Sequence, residues 1–123
     1  DVTYTYPVNT CASGKLLISS MSEEELDSYL DRVVFIQKTA STIMDKNEFK
    51  KRVKEAGQKG YATELMEFGN HLNSIAAPIY NRDQEVFATI AISGPSMRFT
   101  EQRMQELIDP LREVAYQITN SMS

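Results

Sequence analysis

The sequence predicts an α+β domain, and three observations support that class. Two β-rich runs, Ser74 to Tyr80 and Val86 to Ser93, are joined by the short polar segment Asn81-Arg82-Asp83-Gln84, as in a β-hairpin. Helix-capping signals precede this hairpin at two places in the chain. A long amphipathic segment follows it. We therefore expect a sheet that contains this hairpin, with helices before and after it in the chain.

Length, composition and charge describe one globular domain. The 123 residues are 41% apolar and 24% charged, and area scaling predicts that folding buries about two-thirds of the unfolded surface. No apolar run approaches the roughly 20 residues of a membrane helix, and no signal-peptide pattern opens the chain. A net charge of -4 has the wrong sign for a domain that binds nucleic acid by itself. We therefore expect neither a membrane protein nor an autonomous nucleic-acid-binding domain.

The cysteine and histidine content limits the chemistry further. Cys11 is the single cysteine, so no internal disulfide can form, and His71 is the single histidine, which excludes a site with two imidazoles. A reducing, cytoplasmic setting fits these counts best. The chain also begins at Asp1 without an initiator methionine and in the middle of a pattern, which indicates a piece of a longer protein.

The first elements are predicted to be a strand and a helix. Residues 2 to 6 alternate Val or Tyr with Thr, a period-2 pattern of β-formers that Pro7 ends. Small and hydroxylated residues then lead into the apolar run that begins at Leu16. This order predicts a helix capped near Thr10.

Two further helices carry capping signals. Ser22 has a glutamate three residues later, the spacing of a capping box, and predicts a short helix to about Leu30. The stretch from 32 to 44 is expected to be irregular, with room for a short helix. Asp45 opens the next helix, and Gly60 stands where a left-handed C-cap belongs. The apolar face of that helix consists of Phe49, Val53 and Ala56.

The remaining elements lie in the C-terminal half. Tyr61 to Glu64 is predicted to be extended, and Gly94-Pro95 ends the second hairpin run. Thr100 caps a long helix, in which Pro110 predicts a kink or break just before it. The stripe on which this helix packs is formed by Leu107, Leu111, Val114, Ala115, Ile118 and Met122.

No constellation of residues indicates an enzyme or a metal centre. Cys11 at a helix start, with His71 as its base, lacks a third group to orient the histidine, and a thiol enzyme would require rapid alkylation of Cys11. Glu67 and His71 supply two metal ligands, fewer than a closed site needs. Gly14-Lys15 lacks the first glycine of a phosphate-binding loop. We predict no catalytic residue, no metal and no cofactor.

A small polar ligand is a further possibility that the residues raise. Thr10, Ser13 and the amides of the first helix turn are expected to face a cavity beside Ser74 and Ser93, since helix starts favour carboxylates. Ordinary helix capping with solvated serines accounts for the same residues. The pattern by itself leaves both interpretations open.

Several motifs occur together in the order and spacing of a known family. They are Tyr6-Pro7-x-x-Thr10-x-Ala12-Ser13-Gly14-Lys15, the start at Ser22 with Glu23 to Glu25, Gly60-Tyr61-Ala62, Glu64 and Glu67, Ile75-Ala76-Ala77-Pro78, Ala91-Ile92-Ser93-Gly94-Pro95 and Arg98-Phe99-Thr100. Over nearly its whole length the chain resembles the effector-binding domain of IclR-type bacterial transcriptional regulators.

The resemblance implies a GAF-like fold, a curved antiparallel sheet flanked by helices, whose first strands lie upstream of Asp1. It implies one N-terminally incomplete domain over residues 1 to 123 that binds a small effector, an organic acid, without catalysis. That domain controls a separate winged helix-turn-helix domain, absent from this chain, through which operator DNA is bound. The resemblance also implies a homodimer or a homotetramer, and no membrane partner.

Carried over residue by residue, the family's pocket positions fall on Tyr6, Cys11, Ala12, Glu64, Leu72, Ser74, Ala91 and Ser93. In members that sense small oxo-acids, helix amides, an acidic side chain and serines of the last strand hold the ligand. Ala91 departs from this pattern with a methyl group, and Cys11 stands where a small residue such as glycine occurs. His71 replaces a glycine, so a left-handed backbone and a ligand contact are both open there.

An oligomerisation module is the alternative function. In that case Tyr6, Leu72 and Ala91 would help to close the cavity, which the domain would fill with its own side chains. An open polar pocket distinguishes a sensing domain from such a module.

Overall fold

A computed structural model describes residues 7 to 122 of the chain. The helices are α1 (Ala12–Leu17), α2 (Glu23–Arg32), α3 (Lys46–Lys59) and α4 (Glu101–Ser121), and the strands are β1 (Ala62–Leu65), β2 (Leu72–Tyr80) and β3 (Val86–Pro95). A short 3₁₀ turn, Val8–Thr10, precedes α1. The predicted strand over residues 2 to 6 and the predicted effector contact Tyr6 lie outside the described residues. Within them, the predicted α+β class is confirmed.

The three strands form one antiparallel sheet in the order β1-β2-β3. The predicted hairpin is β2 and β3, with an irregularity in the register between Ile79 and Tyr80. The Asn81 carboxamide oxygen closes its turn by accepting hydrogen bonds from the amides of Asp83 and Glu85. An asparagine that bonds its own backbone is a typical turn former, so the hairpin follows from local chemistry.

The two faces of the sheet are covered by different helices. Successive strand residues point to opposite faces, so the register assigns every side chain to one of them. One face packs on α4 through Ile75, Ala77, Ile79, Phe99, Met104, Ile108, Leu111 and Ala115. On the other face Ala12 and Leu16 of α1 pack against Ala62 and Ala76, with Ala56 of α3 beside them.

The capping signals of α2 and α3 are confirmed. Ser22 accepts a hydrogen bond from the Glu25 amide while the Glu25 side chain accepts one from the Ser22 amide, and α2 runs two residues beyond the predicted end. Asp45 accepts from the Glu48 amide, and Gly60 ends α3 in the left-handed region at a φ of 77°. None of the helices in residues 7 to 122 is long and apolar enough to cross a membrane.

The helix predicted to be capped near Thr10 is confirmed as α1, but Thr10 is not its capping residue. Cys11 is the N-cap residue of α1, with no side-chain capping bond. The Thr10 hydroxyl instead donates to the Pro7 carbonyl over 2.7 Å, within the 3₁₀ turn. Because α1 begins at Ala12, Thr10 lies one residue before the N-cap position and its hydroxyl is used within the preceding turn.

The structure also corrects the prediction for α4. Of the kink or break predicted before Pro110, the break is absent, since Pro110 lies inside a continuous helix. The kink stays a prediction. Val114 and Met122, assigned to the packing stripe, are 43% and 42% exposed. The helix meets the sheet through Met104, Ile108, Leu111 and Ala115. These residues follow one another at spacings of four, three and four, a straight line along a helix face, which places Val114 on its flank. Met122 is the C-cap residue, beyond the last turn of α4.

Phe49 anchors the third cluster of the core, between α2 and α3. It has no exposed surface and meets Phe35 edge to face, with 5.2 Å between the ring centroids. We expect Phe49→Ala to lower the free energy of unfolding by about 3 to 5 kcal/mol, as in other large truncations of buried rings. Urea denaturation measures the loss. Phe87→Ala on β3, where the ring is 51% exposed, is the matched control, and equal losses in the two variants would contradict this packing.

Candidate functional site

The strand residues among the predicted effector contacts share one face of the sheet. Glu64, Ser74 and Ser93 are register partners, so they form a row across β1, β2 and β3. Leu72 and Ala91 lie on the same face, two positions away on their strands. This is the face that α1 covers in part. The structure therefore brings five of the predicted residues together.

The row runs from the interior to solvent. Glu64 is 4% and Ser74 is 7% exposed, whereas Ser93, Ala91 and Leu72 are exposed. The two predicted effector contacts at the start of α1, Cys11 and Ala12, also differ in solvent exposure. Cys11 is half-buried. Ala12 is 1% exposed and packs in the core, so its side chain serves packing.

The Glu64 carboxylate ties the sheet to the turn that follows β1. One oxygen accepts a hydrogen bond from the Ser74 hydroxyl over 2.8 Å. The other accepts from the amides of Glu67 and Phe68, over 2.8 and 3.3 Å. Burial raises the pKa of Glu64 above its ordinary value, against the effect of these hydrogen bonds. A ligand that reaches Glu64 must share or replace the bond from Ser74.

A buried ion pair joins α1 to the same turn. Lys15 Nζ lies 2.9 Å from Glu67 Oε1 and donates to the Thr63 carbonyl over 2.7 Å. The second Glu67 oxygen accepts from the Leu65 amide. Lys15 is 4% and Glu67 is 8% exposed. Sequence reasoning missed this pair, because its two residues are far apart in the chain and neither is marked as buried by its neighbours.

The turn after β1 is fixed from a third direction by the irregular segment before α3. The Thr39 hydroxyl donates to the Met66 carbonyl over 2.6 Å, and the Thr42 hydroxyl donates to the Glu67 carbonyl over 2.5 Å. Met66 has a φ of 54°. His71, for which the left-handed conformation was considered, has no positive φ and is exposed. The left-handed residue of this turn is therefore Met66.

The structure favours neither a thiol nucleophile nor a metal at these residues. Burial raises the pKa of the Cys11 thiol, with Glu64 adding to the rise, whereas a catalytic thiol needs a lowered pKa. Glu67 is held by Lys15 rather than free to bind a metal with His71. Within residues 7 to 122, no group of three or more His, Cys, Asp or Glu side chains could hold a metal ion.

The other predicted polar contacts are bonded within the protein. Thr10 is fully buried and donates to Pro7. The Ser13 hydroxyl accepts from the Thr89 hydroxyl over 2.8 Å, which attaches α1 to β3. Because its hydroxyl is bonded within the protein, Thr10 is a structural residue.

A cavity of about 340 Å³ borders the ion pair on its α3 side. It is lined by Lys15 and Glu67 rather than by the predicted effector contacts.

Sequence comparison matches the chain to a family of regulators. The family model for the bacterial transcriptional regulator IclR C-terminal domain covers residues 3–120. The transcriptional regulator KipR of Bacillus subtilis is 29% identical over 116 residues, and the transcriptional repressor AllR of Escherichia coli is 34% identical over 116 residues. Each match covers 94% of this chain, but only 46% of KipR and 43% of AllR. The chain thus spans less than half the length of these relatives.

Solved structures of similar regulators have the same fold. A transcriptional regulator from Rhodococcus sp. RHA1 superposes with a TM-score of 0.90 at 27% identity, covering 98% of this chain and 51% of that one. A double mutant of the inducer-binding domain of PobR from Acinetobacter, in complex with 3-hydroxybenzoic acid, superposes with a TM-score of 0.86 at 22% identity, covering 93% of this chain and 66% of that one. The GAF-like α+β architecture is therefore that of this family.

The buried ion pair predicts a large cost for removing one partner. We expect Lys15→Met to lower the free energy of unfolding by about 3 to 5 kcal/mol, because it leaves the Glu67 carboxylate buried and unpaired. The double variant Lys15→Met/Glu67→Gln should recover much of that loss in urea denaturation. Lys54→Met, which breaks an exposed pair with Glu23, is the control and should cost far less, because solvent screens such pairs. No recovery in the double variant would contradict the pairing.

The raised pKa of Glu64 predicts how stability depends on pH. The folded state holds this proton more tightly than the unfolded state, so its contribution is full below 4.5 and is lost as pH rises through the folded pKa. Glu64→Gln should therefore gain stability relative to the wild type as pH rises. Glu25→Gln should show the opposite sign, because hydrogen bonds from Ser22 lower the pKa of Glu25. Urea denaturation across acidic to neutral pH measures both, and equal signs would refute this assignment.

Proposed function

The chain belongs to the IclR C-terminal family of bacterial transcriptional regulators, and we propose that it senses a small organic acid for such a regulator. The relatives are named transcriptional regulators or repressors, so the domain is regulatory rather than enzymatic. The proposed effector site is the open part of the α1-side sheet face. The row formed by Glu64, Ser74 and Ser93 carries this proposal, because it leads from a buried carboxyl group to an exposed hydroxyl.

The chemistry of the row suits an organic acid. The Ser74 and Ser93 hydroxyls can donate to ligand oxygens, and the amides at Cys11 and Ala12 lie at the start of α1 on the same side of the sheet. An ionised Glu64 would repel a carboxylate. Burial raises the pKa of Glu64, which lowers the free-energy cost of protonating this group when an anion binds. Leu72 and Ala91 supply the apolar border of the proposed site.

Two further observations support ligand binding over a filled oligomerisation module. Ala91 and Ser93 are exposed and Leu72 is 39% exposed, whereas a cavity filled by these side chains would bury them. In addition, the PobR domain, which shares this fold, is described with a bound organic acid. At 22% identity that likeness bears on the fold, and it supports the class of ligand rather than its identity.

The contacts of Glu64 suggest how binding is transmitted. Glu64 holds the amides of Glu67 and Phe68, and Glu67 in turn holds Lys15 of α1. A ligand that takes over the Ser74 bond changes the position of this turn relative to α1. The regulator responds if the effector prefers one of these arrangements to the other.

We propose the remaining partners from family membership. The regulator acts in the bacterial cytoplasm as a homodimer or homotetramer, and a separate winged helix-turn-helix domain contacts operator DNA. The net charge of -4 agrees with DNA binding by another part of the protein. Light scattering of the purified chain measures the oligomeric state.

Thermal unfolding against a panel of small aliphatic, aromatic and sugar acids tests the proposed function. A ligand at 100 times its Kd stabilises a domain by about 2.7 kcal/mol, which should raise the midpoint by roughly 8 to 15 °C. A clear shift names the effector class. No shift with any acid would favour the oligomerisation module.

Two serine substitutions then test the site. We expect Ser93→Ala and Ser74→Ala each to weaken binding of the acid found in the panel by about 1 to 3 kcal/mol, because each removes a donor from a buried ligand oxygen. Ser28→Ala, an exposed position on α2, is the matched control. Calorimetric titration gives the Kd values, and wild-type affinity in both site variants would remove the assignment.

A further inference from the structure

A second cavity lies on the α4 side of the sheet, away from the proposed effector face. Its volume is about 570 Å³, within the range of small-molecule sites. Gly60, the end of β2, the hairpin turn and α4 form its walls. Ala77, one of its lining residues, belongs to the α4-side core, whereas its neighbour Ala76 belongs to the α1-side core. Ala77 and α4 therefore place this cavity mainly on the sheet face opposite the effector row, beside the part of β2 that β1 does not pair.

The charged side chains that line this cavity are all positive. Arg82 and Arg112 line it, and its lining contains no aspartate or glutamate among the described residues. Neither arginine makes an ion pair in the described part of the chain, while Arg52 and Arg103 pair with glutamates. In a chain of net charge -4, a cavity with two unpaired guanidinium groups is suited to an anion.

The guanidinium of Arg112 is held in place without being neutralised. Its Cζ lies 6.0 Å from the centroid of the Tyr61 ring, a cation-π contact. Gly60 makes room for it, because a Cβ there would come within 2.9 Å of Arg112 Nη2. An arginine fixed by a ring keeps its hydrogen-bond donors available to a ligand.

The floor of the cavity is apolar. Ala77 has no exposed surface, Ala115 is 2% exposed and Pro78 is also buried. The side chains of Tyr80 and Tyr116 stand beside this floor. Thr119 contributes little polarity, because its hydroxyl accepts a hydrogen bond from the Tyr80 amide. Tyrosine rings in the wall of a cavity favour a planar organic body.

We propose that this cavity binds an aromatic carboxylate as a second ligand site of the domain. Its carboxylate oxygens pair with Arg112 and Arg82, and its ring lies beside Tyr80 and Tyr116. The site does not depend on the proposed effector site, since the two share no lining residue.

Calorimetric titration of the 123-residue chain with 1,3-benzenedicarboxylate tests the proposal. This probe carries a carboxylate for each arginine on one aromatic ring. We expect binding to the wild type, and about tenfold or greater weakening by Arg112→Ala and by Arg82→Ala, since each removes a charged hydrogen-bond partner. Arg82 lies in the exposed turn, and its loss strands no ion-pair partner among residues 7 to 122. Arg82→Ala therefore also covers the case in which Arg112→Ala is poorly folded.

Two controls distinguish binding in this cavity from binding on the effector face. Arg103→Ala removes an exposed arginine of α4 that pairs with Glu106 outside the cavity, and should leave the affinity unchanged. Amide chemical shifts should move at residues 80 to 84 and 112 to 119. An affinity that falls with Ser93→Ala but not with Arg82→Ala would show that the probe occupies the effector face and would overturn the proposal. No binding at millimolar concentrations would overturn it as well.

Discussion

The buried ion pair between Lys15 and Glu67 is the contact on which the arrangement of the proposed site depends. Taking two charges out of water costs several kcal/mol for each ion, and only good geometry with additional hydrogen bonds offsets that cost. Here Thr63 and Leu65 supply those bonds from the backbone of β1. Because neither charge is stable without the other, α1 and the turn after β1 are held together.

Other interactions of this region follow from that constraint. Glu64 holds the turn through two amides, and Thr39 and Thr42 hold it through two carbonyls. The turn is thus bonded to β1, to the segment before α3 and to α1. The row of Glu64, Ser74 and Ser93 on the proposed effector face reaches solvent at Ser93. A ligand bound there acts on a network whose members are already fixed.

Strand β2 connects the two proposed sites. It is buried over nearly its whole length and presents Ser74 to one face and Ala77 to the other. A ligand on either face therefore packs against the same strand. Coupling between the sites would require each ligand to prefer the same strand position, which is how two ligands affect one another without contact.

Local signals in the sequence predicted most of the helices and strands. They did not predict contacts between residues that are distant in the chain. The capping residues Ser22 and Asp45, the left-handed Gly60 and the hairpin turn all depend on neighbours in the chain, and all were confirmed. Family resemblance added the shared face of Glu64, Ser74 and Ser93. The apolar pattern of α4 did not predict correctly which side chains face the sheet, because that choice depends on tertiary packing. Lys15 and Glu67 are 52 positions apart, so no local pattern pairs them either.

Hydrogen exchange at the amides of Glu67 and Phe68 tests the central claim most directly. These amides donate to Glu64, so they report on the hydrogen-bonded turn that connects the proposed effector face to α1. Their exchange rates should change when the acid identified in the panel is added, together with those of Ser74 and Ser93. Saturating ligand that leaves both amide rates unchanged would contradict the account, because binding would then bypass the network.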